Sequence, residues 1–430
     1  MTLPLFAYIA ILLLAALLST RLMKIIRLPN VTGYLLTGII MGPFVFGLLF
    51  NNFSYTGIKE SPVFQYVDQI SWVSTVALGF IAFSIGTSFK ASVLKAVGKR
   101  VVIITVFEAL FASVLVILAL MVGHFVFPNQ ISWSLVLTLG AIASATAPAA
   151  TLMVIKQYNA RGPLVDTLLP VVALDDAAAL ILFSILFQIA KNLAIGGSFS
   201  VYLMIIKPMI EILISLGLGA VIGFFISLMN RFFKSRNNRL IWCIFSVFAS
   251  LGFYMLFKYP QMGEFELSSL LMCMVAGMIY TNMRKDSSRT LDVLDRFTTP
   301  IYMMFFVVSG ASLDLTIFFD KKAFVVLGIA AIYVIFRLLG KWLGAFTGAS
   351  ITHSEPTVKK YLGFTLAPQA GVAIGLATTA SKLFSLHEGT QEIGALIIAV
   401  ILTSTLVYEL FGPLISKFGL YKAGEIQTQE

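Results

Sequence analysis

From residue 4 to residue 417 the chain is a succession of apolar runs, each close to bilayer length and each ended by polar or charged residues. A membrane-crossing helix needs roughly 20 mainly apolar residues. Lipid offers no partner to a backbone N–H or C=O, so such runs become helices whose hydrogen bonds close within the segment. About thirteen spans fit, near 4–22, 31–50, 68–89, 98–123, 131–156, 163–190, 203–229, 239–258, 265–283, 299–319, 323–349, 358–381 and 392–417. Only 12% of the residues are charged and 59% are hydrophobic. Soluble domains carry roughly 25% charge, so a water-soluble globule is excluded. The expected fold class is an all-α polytopic membrane protein, a single membrane domain over 1–430 with no soluble regulatory domain. The first span has neither a basic stretch before it nor a small-residue cleavage site, and reads as a retained span, not a signal peptide.

A net charge of +10 raises the question of a nucleic-acid partner, which the placement of the charges answers. With the N-terminus outside, 21 of the 30 Lys and Arg residues fall in inside loops and the C-terminal tail. Seven fall outside: Lys59, Lys191, Lys207, Lys258, Lys321, Lys322 and Lys382. The positive-inside rule then puts the N-terminus outside and the C-terminus in the cytoplasm of a plasma-membrane protein. The basic charge faces anionic lipid, and no nucleic acid is expected. Cys243 and Cys273 sit in apolar runs and His124, His353 and His387 are scattered, so no disulfide framework, zinc site or haem is expected. No HExxH, GxSxG or ATP-binding motif is present. The chain therefore reads as no enzyme, with no cofactor and no nucleotide, driven by an ion gradient.

The two remaining basic residues, Arg337 and Lys341, lie within a span, as do Asp175, Asp176, Glu108 and Glu409. A charge at the bilayer centre costs at least about 2.5–3.5 kcal/mol on insertion scales. Asp175 and Asp176 are mid-run in VVALDDAAALILFSILF, and adjacent carboxylates in a low-dielectric site cannot both ionise cheaply. Such a carboxylate holds either a proton or a metal cation, which is the chemistry of exchange; the bland alternative is a pair neutralised by a structural salt bridge. Arg337 and Lys341 are one turn apart beside Gly340, Gly344 and Gly348, a small-residue spacing that permits close helix approach. Either is a natural counter-charge for an aspartate, and Lys341 alternatively snorkels to an interface. Glu108 either faces the core or snorkels to a helix end. Glu409 satisfies a lysine or backbone groups, or touches the ion path. His353, beside Glu355, reads as a solvated loop residue with pH sensing as its functional alternative.

SATAPAAT (144–151) and TLAPQAG (365–371) each place a proline inside an apolar run. Proline removes a donor and frees the carbonyl one turn earlier, so both helices are expected to break near mid-depth; the alternative for either alone is a simple kink. The two motifs, with Ala147–Pro148 and Pro368–Gln369 at their centres, lie seven spans apart and so run in opposite directions. That is the pattern of an inverted-topology repeat with two crossed discontinuous helices. Its negative helix ends and freed carbonyls suit a cation.

At these residues the sequence resembles the monovalent cation:proton antiporters of the Kef and Nap type. The resemblance runs through LPNVTGYLLTGIIMGP (28–43), ATAPAATLMVIK, VVALDDAAALI, ELSSLLMCMVAGMI (266–279), FFVVSGASLDL (305–315), RLLGKWLGA and LAPQAGVAIGLA, in that order. It implies core helices over about 98–190 and 323–417, scaffold and dimerisation helices over about 4–89 and 203–319, and a homodimer. It also implies that Asp176 carries Na+ or K+ and protons alternately, with Asp175 paired to the basic residue of the eleventh span. The family's position for that residue falls on Arg337 in preference to Lys341, and an arginine does not release its proton. Members with two acids are typically electrogenic. The chain's end at Glu430 implies that the appended nucleotide-binding domain of Kef-type members is absent.

The expected function is a secondary antiporter in which Asp176, helped by Thr146 and carbonyls of the broken helix, binds the cation until a proton displaces it. The alternative is a gated cation channel lined by the same acids. An organic-anion symporter is disfavoured, since buried acids repel its substrate.

Overall fold

The computed structural model describes residues 4–26, 28–50, 61–88, 91–127, 131–195, 201–233, 235–257, 267–284, 287–312, 323–387 and 389–426. Outside them lie the expected span ends at 89, 258, 265–266 and 313–319. So do Arg27, Lys59, Lys90, Lys234, Lys258, Lys285, Lys321 and Lys322. The described residues form helices and no strand: α1 (Leu5–Ile25), α2 (Asn30–Met41), α3 (Phe46–Phe50), α4 (Pro62–Gln69), α5 (Trp72–Ser88), α6 (Ala91–Val126), α7 (Trp133–Ile142), α8 (Pro148–Gln157), α9 (Pro163–Ile195), α10 (Lys207–Phe232), α11 (Arg236–Phe257), α12 (Ser269–Met283), α13 (Ser287–Ala311), α14 (Ala323–Ile351), α15 (Pro356–Thr365), α16 (Gly371–Ser385) and α17 (Gln391–Lys422). Each expected apolar run holds at least one of them. Among the described residues nine helical stretches are long and apolar enough to cross a membrane, and α7 and α12 are shorter apolar helices. This is a multi-pass membrane protein.

Two helices begin in polar sequence ahead of their apolar runs. α4 (Pro62–Gln69) starts ahead of the expected span at 68; Ser61 accepts from the Phe64 N–H at 3.3 Å and Pro62 occupies the first helical position. α13 begins at Ser287, well before the apolar run at 299. Its first turns are amphipathic, burying Leu294 while Asp292 and Asp295 stay outward. The average over such a segment is polar although one face packs.

The sequence breaks fall where the prolines place them. α7 and α8 are separated by residues 143–147, and α15 and α16 by residues 366–370. Pro148 opens α8, where its missing N–H is no loss. The helices ahead of the two broken pairs, α6 and α14, pack against each other through the glycine stripe. A Cβ at Gly340 would meet the Ala112 Cα at 2.5 Å, one at Gly344 the Glu108 Cα at 2.5 Å, and one at Gly348 the Ile104 Cα at 2.8 Å. Residue numbers rise on one helix as they fall on the other, so the pair is antiparallel, as an inverted repeat requires. Gly344→Ala is expected to push α14 off α6 at a cost of roughly 1–3 kcal/mol, read as a lower thermal midpoint in detergent.

Three apolar clusters fill the interior. One joins α1, α2, α5, α11, α12 and α13, and takes in Ala149, Ala150 and Leu152 of α8. A second joins α7, α9, α14, α16 and α17 with Val116 and Leu120 of α6. The third lies under the ends of α8, α9, α15 and α17. Here Glu425, just beyond α17, caps α9: its carboxylate accepts from the Leu164 N–H at 2.6 Å and the Val165 N–H at 2.9 Å. Gly162, at φ +153°, leaves the room, since a Cβ there would meet the Glu425 carboxyl carbon at 2.5 Å.

Burial raises the Glu425 pKa, the two N–H donors lower it by less, and Asp166 and Glu355 push the same way as burial. A pKa higher docked than undocked means that protonation favours docking. The contribution is therefore full below the undocked value and fades as pH rises through the docked one. Hydrogen exchange at Leu164 and Val165 is expected to quicken over that pH range, and Glu425→Gln to remove the pH dependence.

An ion site at the helix crossing

The two breaks meet back to back. The Ala147 N–H donates to the Pro368 carbonyl at 2.9 Å, so one interruption supplies a donor to the other. The carbonyls freed at the end of α7 are each taken by a side chain. Gln369 Nε2 donates to Ile142 O at 3.0 Å, Arg337 Nε to Ala143 O at 3.1 Å, and Arg337 Nη2 to Ala145 O at 2.7 Å. Lys341 Nζ donates to Ser144 O. On the other break, Arg337 Nη1 donates to Ala367 O at 2.8 Å and Nη2 reaches Pro368 O at 3.5 Å. Thr151 Oγ1 donates to Thr365 O at 2.9 Å. Two helix C-termini, each with partial negative charge, thus converge on two basic side chains, Arg337 and Lys341.

Lys341, not Arg337, is the partner of Asp175. Its Nζ stands 3.1 Å from Asp175 Oδ2 and 2.5 Å from Glu108 Oε2, with all three side chains fully buried. The expected Arg337–Asp175 pairing is therefore corrected. The reason lies in the donors: a guanidinium presents five N–H groups in a planar fork and suits carbonyls radiating from two helix ends. An ammonium is a point charge on a flexible stem and suits a pocket between carboxylates. The Arg337 guanidinium also lies 4.5 Å from the centre of the Tyr408 ring, a cation–π contact. Because protein donors hold the carbonyls of Ile142, Ala143, Ser144, Ala145 and Ala367, those oxygens are already engaged in this conformation.

Asp176 is different. It is 3% exposed, and neither carboxylate oxygen has a hydrogen-bond partner among the described residues. Thr146, in the first break, is likewise buried with an unpartnered hydroxyl. A buried carboxylate without donors is left for a proton or a cation to complete. Among the described residues no cluster of three or more His, Cys, Asp or Glu is arranged to hold a metal.

Of the expected residues, the structure joins Ala147, Pro368, Gln369, Arg337, Lys341 and Asp175 in one bonded network, and Pro148 opens the helix that leaves it. Glu108 faces the interior and does not snorkel. His353 is exposed and turns the chain at the end of α14, at φ +50°. Two tyrosines escaped the sequence reading: Tyr333, which bonds Gln369 through its hydroxyl, and Tyr408. Spacing could have found Tyr333, because residues 333, 337 and 341 recur every four on one face of α14.

The sodium/hydrogen exchanger transmembrane-domain model matches residues 9–415. The chain belongs to the sodium/hydrogen exchanger family. Among relatives of this exchanger, sodium/hydrogen exchanger 9B2 of Homo sapiens is 23% identical over 432 residues, covering 95% of this chain and 73% of the relative. The Mus musculus protein of the same name is 24% identical over 316 residues, covering 68% and 53%. The solved sodium proton antiporter MjNhaP1 of Methanocaldococcus jannaschii superposes with a TM-score of 0.63 over 97% of this chain and 98% of that one. At 18% identity it shows the exchanger fold and nothing finer.

Proposed function

We propose that the protein is a secondary antiporter that exchanges a monovalent cation, Na+ or K+, for protons across the plasma membrane, and that it serves pH homeostasis as a homodimer. The observation that carries this reading is Asp176, a buried carboxylate without a protein donor beside a carboxylate that has one. Family membership supports it. An ionised Asp176 binds the dehydrated cation with Thr146; a proton on the same oxygens displaces it. The two loaded states cross by movement of the helices in 98–190 and 323–417 against those in 4–89 and 203–319. The N-terminus lies outside and the C-terminus in the cytoplasm.

Lys341 gives this cycle its second proton. As the cation settles, Asp175 leaves Lys341, and the ammonium then gives its proton up to water as Asp176 has done. A lysine, unlike an arginine, can also release its proton. Two protons then move per cation, and exchange is electrogenic. The channel alternative is disfavoured by the bonded crossing, where Ala147, Pro368, Arg337 and Gln369 tie the two breaks together. The test is dye-reported proton flux in proteoliposomes on addition of each chloride salt. NaCl or KCl is expected to drive protons the opposite way. Cation flux with no counter-moving proton would favour the channel.

A further inference from the structure

Four buried acids and two buried bases lie in the helices of the crossing region: Glu108, Asp175, Asp176, Glu409, Arg337 and Lys341. Lys341 serves Glu108 and Asp175, and Arg337 is occupied by carbonyls. That leaves two of these acids with no counter-charge among the described residues, and only Asp176 has been given a role. The other is Glu409 of α17.

Glu409 is 7% exposed, and its Oε2 has no hydrogen-bond partner among the described residues. One turn earlier on the same face is Thr405, fully buried, its hydroxyl also unpartnered. Helical threonines ordinarily give that proton to the carbonyl four residues back, as Thr403 does to Ala399 at 2.8 Å. Thr405 does not. Residues four apart share one face of a helix, so Thr405 and Glu409 lie on the same side of α17, with no hydrogen bond between them. Pro413, inside α17, has no N–H to offer the carbonyl of residue 409. One turn of α17 thus presents a carboxylate oxygen and a hydroxyl with no hydrogen-bond partner among the described residues, beside a carbonyl that lacks its usual helical donor.

This turn adjoins the crossing. A Cβ on Gly412 would stand 3.1 Å from the Pro368 Cα, and Tyr408, next to Glu409, carries the Arg337 guanidinium on its ring. The titratable or charged groups on the helices packed against α17 are Tyr34 of α2, Lys156 of α8, Tyr333, Arg337 and Lys341 of α14, Lys359, Lys360 and Tyr361 of α15, and Lys382 of α16; α7 carries none. Lys156 is ion-paired with Asp295, Lys341 with Glu108 and Asp175, and Arg337 is bonded as above. Hard divalent cations gather about six or more oxygens, and three groups on one turn fall short of such a shell. A proton needs one.

We infer that Glu409, with Thr405, is a second proton-binding station, distinct from the Asp175–Asp176 pair, that loads and unloads during the exchange cycle. The inference rests on the antiporter reading above. Its test uses the full chain in proteoliposomes, as wild type, Glu409→Gln and Glu409→Asp, with cation-driven proton flux and the apparent cation KM followed across pH. The Gln variant is expected to move the midpoint of the pH profile by about 0.5 unit or more; the Asp variant is expected to keep a titrating profile. The infrared difference spectrum between acid and alkaline protein is expected to lose one protonated-carboxyl band in Glu409→Gln. If the Gln variant does not fold, the same band is expected to move in Glu409→Asp. Profiles and KM values that superimpose on wild type, or carboxyl bands unchanged in the variant that folds, would mean a permanently protonated acid and overturn the inference alone. Wild-type protein that moves no protons against any cation would overturn the antiporter reading together with it.

Discussion

Asp176→Asn is expected to bring cation-driven proton flux down to the leak of protein-free liposomes while the protein still folds. The reasoning starts from what Asp176 lacks. Neither oxygen is bonded to a described residue, so the substitution removes no protein contact that holds the fold. Asparagine matches the carboxyl in size but cannot ionise, so it offers a cation no charge and a proton no binding site. The new amide donors are buried, at a cost of about 1–3 kcal/mol unless water reaches them. Only a modest change in thermal midpoint should accompany the loss of function. Asp175→Asn makes the contrast: it takes one of two carboxylates from Lys341, which keeps Glu108, so partial activity with altered stoichiometry is expected.

Arg337→Leu is expected to have the largest effect on stability. The substitution strips donors from the carbonyls of Ala143, Ala145 and Ala367, and only Pro368 O retains another donor, the Ala147 N–H. Each carbonyl left unsatisfied in a dry site costs about 1–3 kcal/mol, so a loss of roughly 3–9 kcal/mol follows if no water enters. The two negative helix ends also lose a shared cation. Arg337→Lys should rescue little of this, since one ammonium cannot span carbonyls on both breaks. Size-exclusion profiles and thermal midpoints in detergent report the effect; a midpoint near that of wild type would count against the assigned role of Arg337.

How far the sequence led can be judged residue by residue. The succession of apolar runs is a long-range pattern, and it anticipated the helical membrane fold. The prolines at 148 and 368 marked both breaks because proline acts locally, on its own backbone and the preceding turn. The glycines at 340, 344 and 348 anticipated a close helix contact but did not name the partner, because nothing local in 98–123 marks Glu108 as the residue facing Gly344. The choice between Arg337 and Lys341 was not legible for a related reason. One turn separates them, and what distinguishes them is the depth at which each meets carbonyls or carboxylates from other helices. Glu425 was silent altogether: a carboxylate capping a helix more than 250 residues earlier leaves no spacing to read.

The central claim is competition between a proton and a cation at Asp176. It is tested most directly by the apparent cation affinity of the purified exchanger, measured by charge displacement on a solid-supported membrane over a series of pH values. On the acid side, the apparent dissociation constant is expected to rise with each pH unit of acidification, about tenfold from displacement of the Asp176 proton alone and up to about a hundredfold where Lys341 releases its proton as well. Asp176→Asn should give no cation-dependent signal at any pH. An affinity that stays constant with pH, or a cation-dependent signal that survives in Asp176→Asn, would contradict the account.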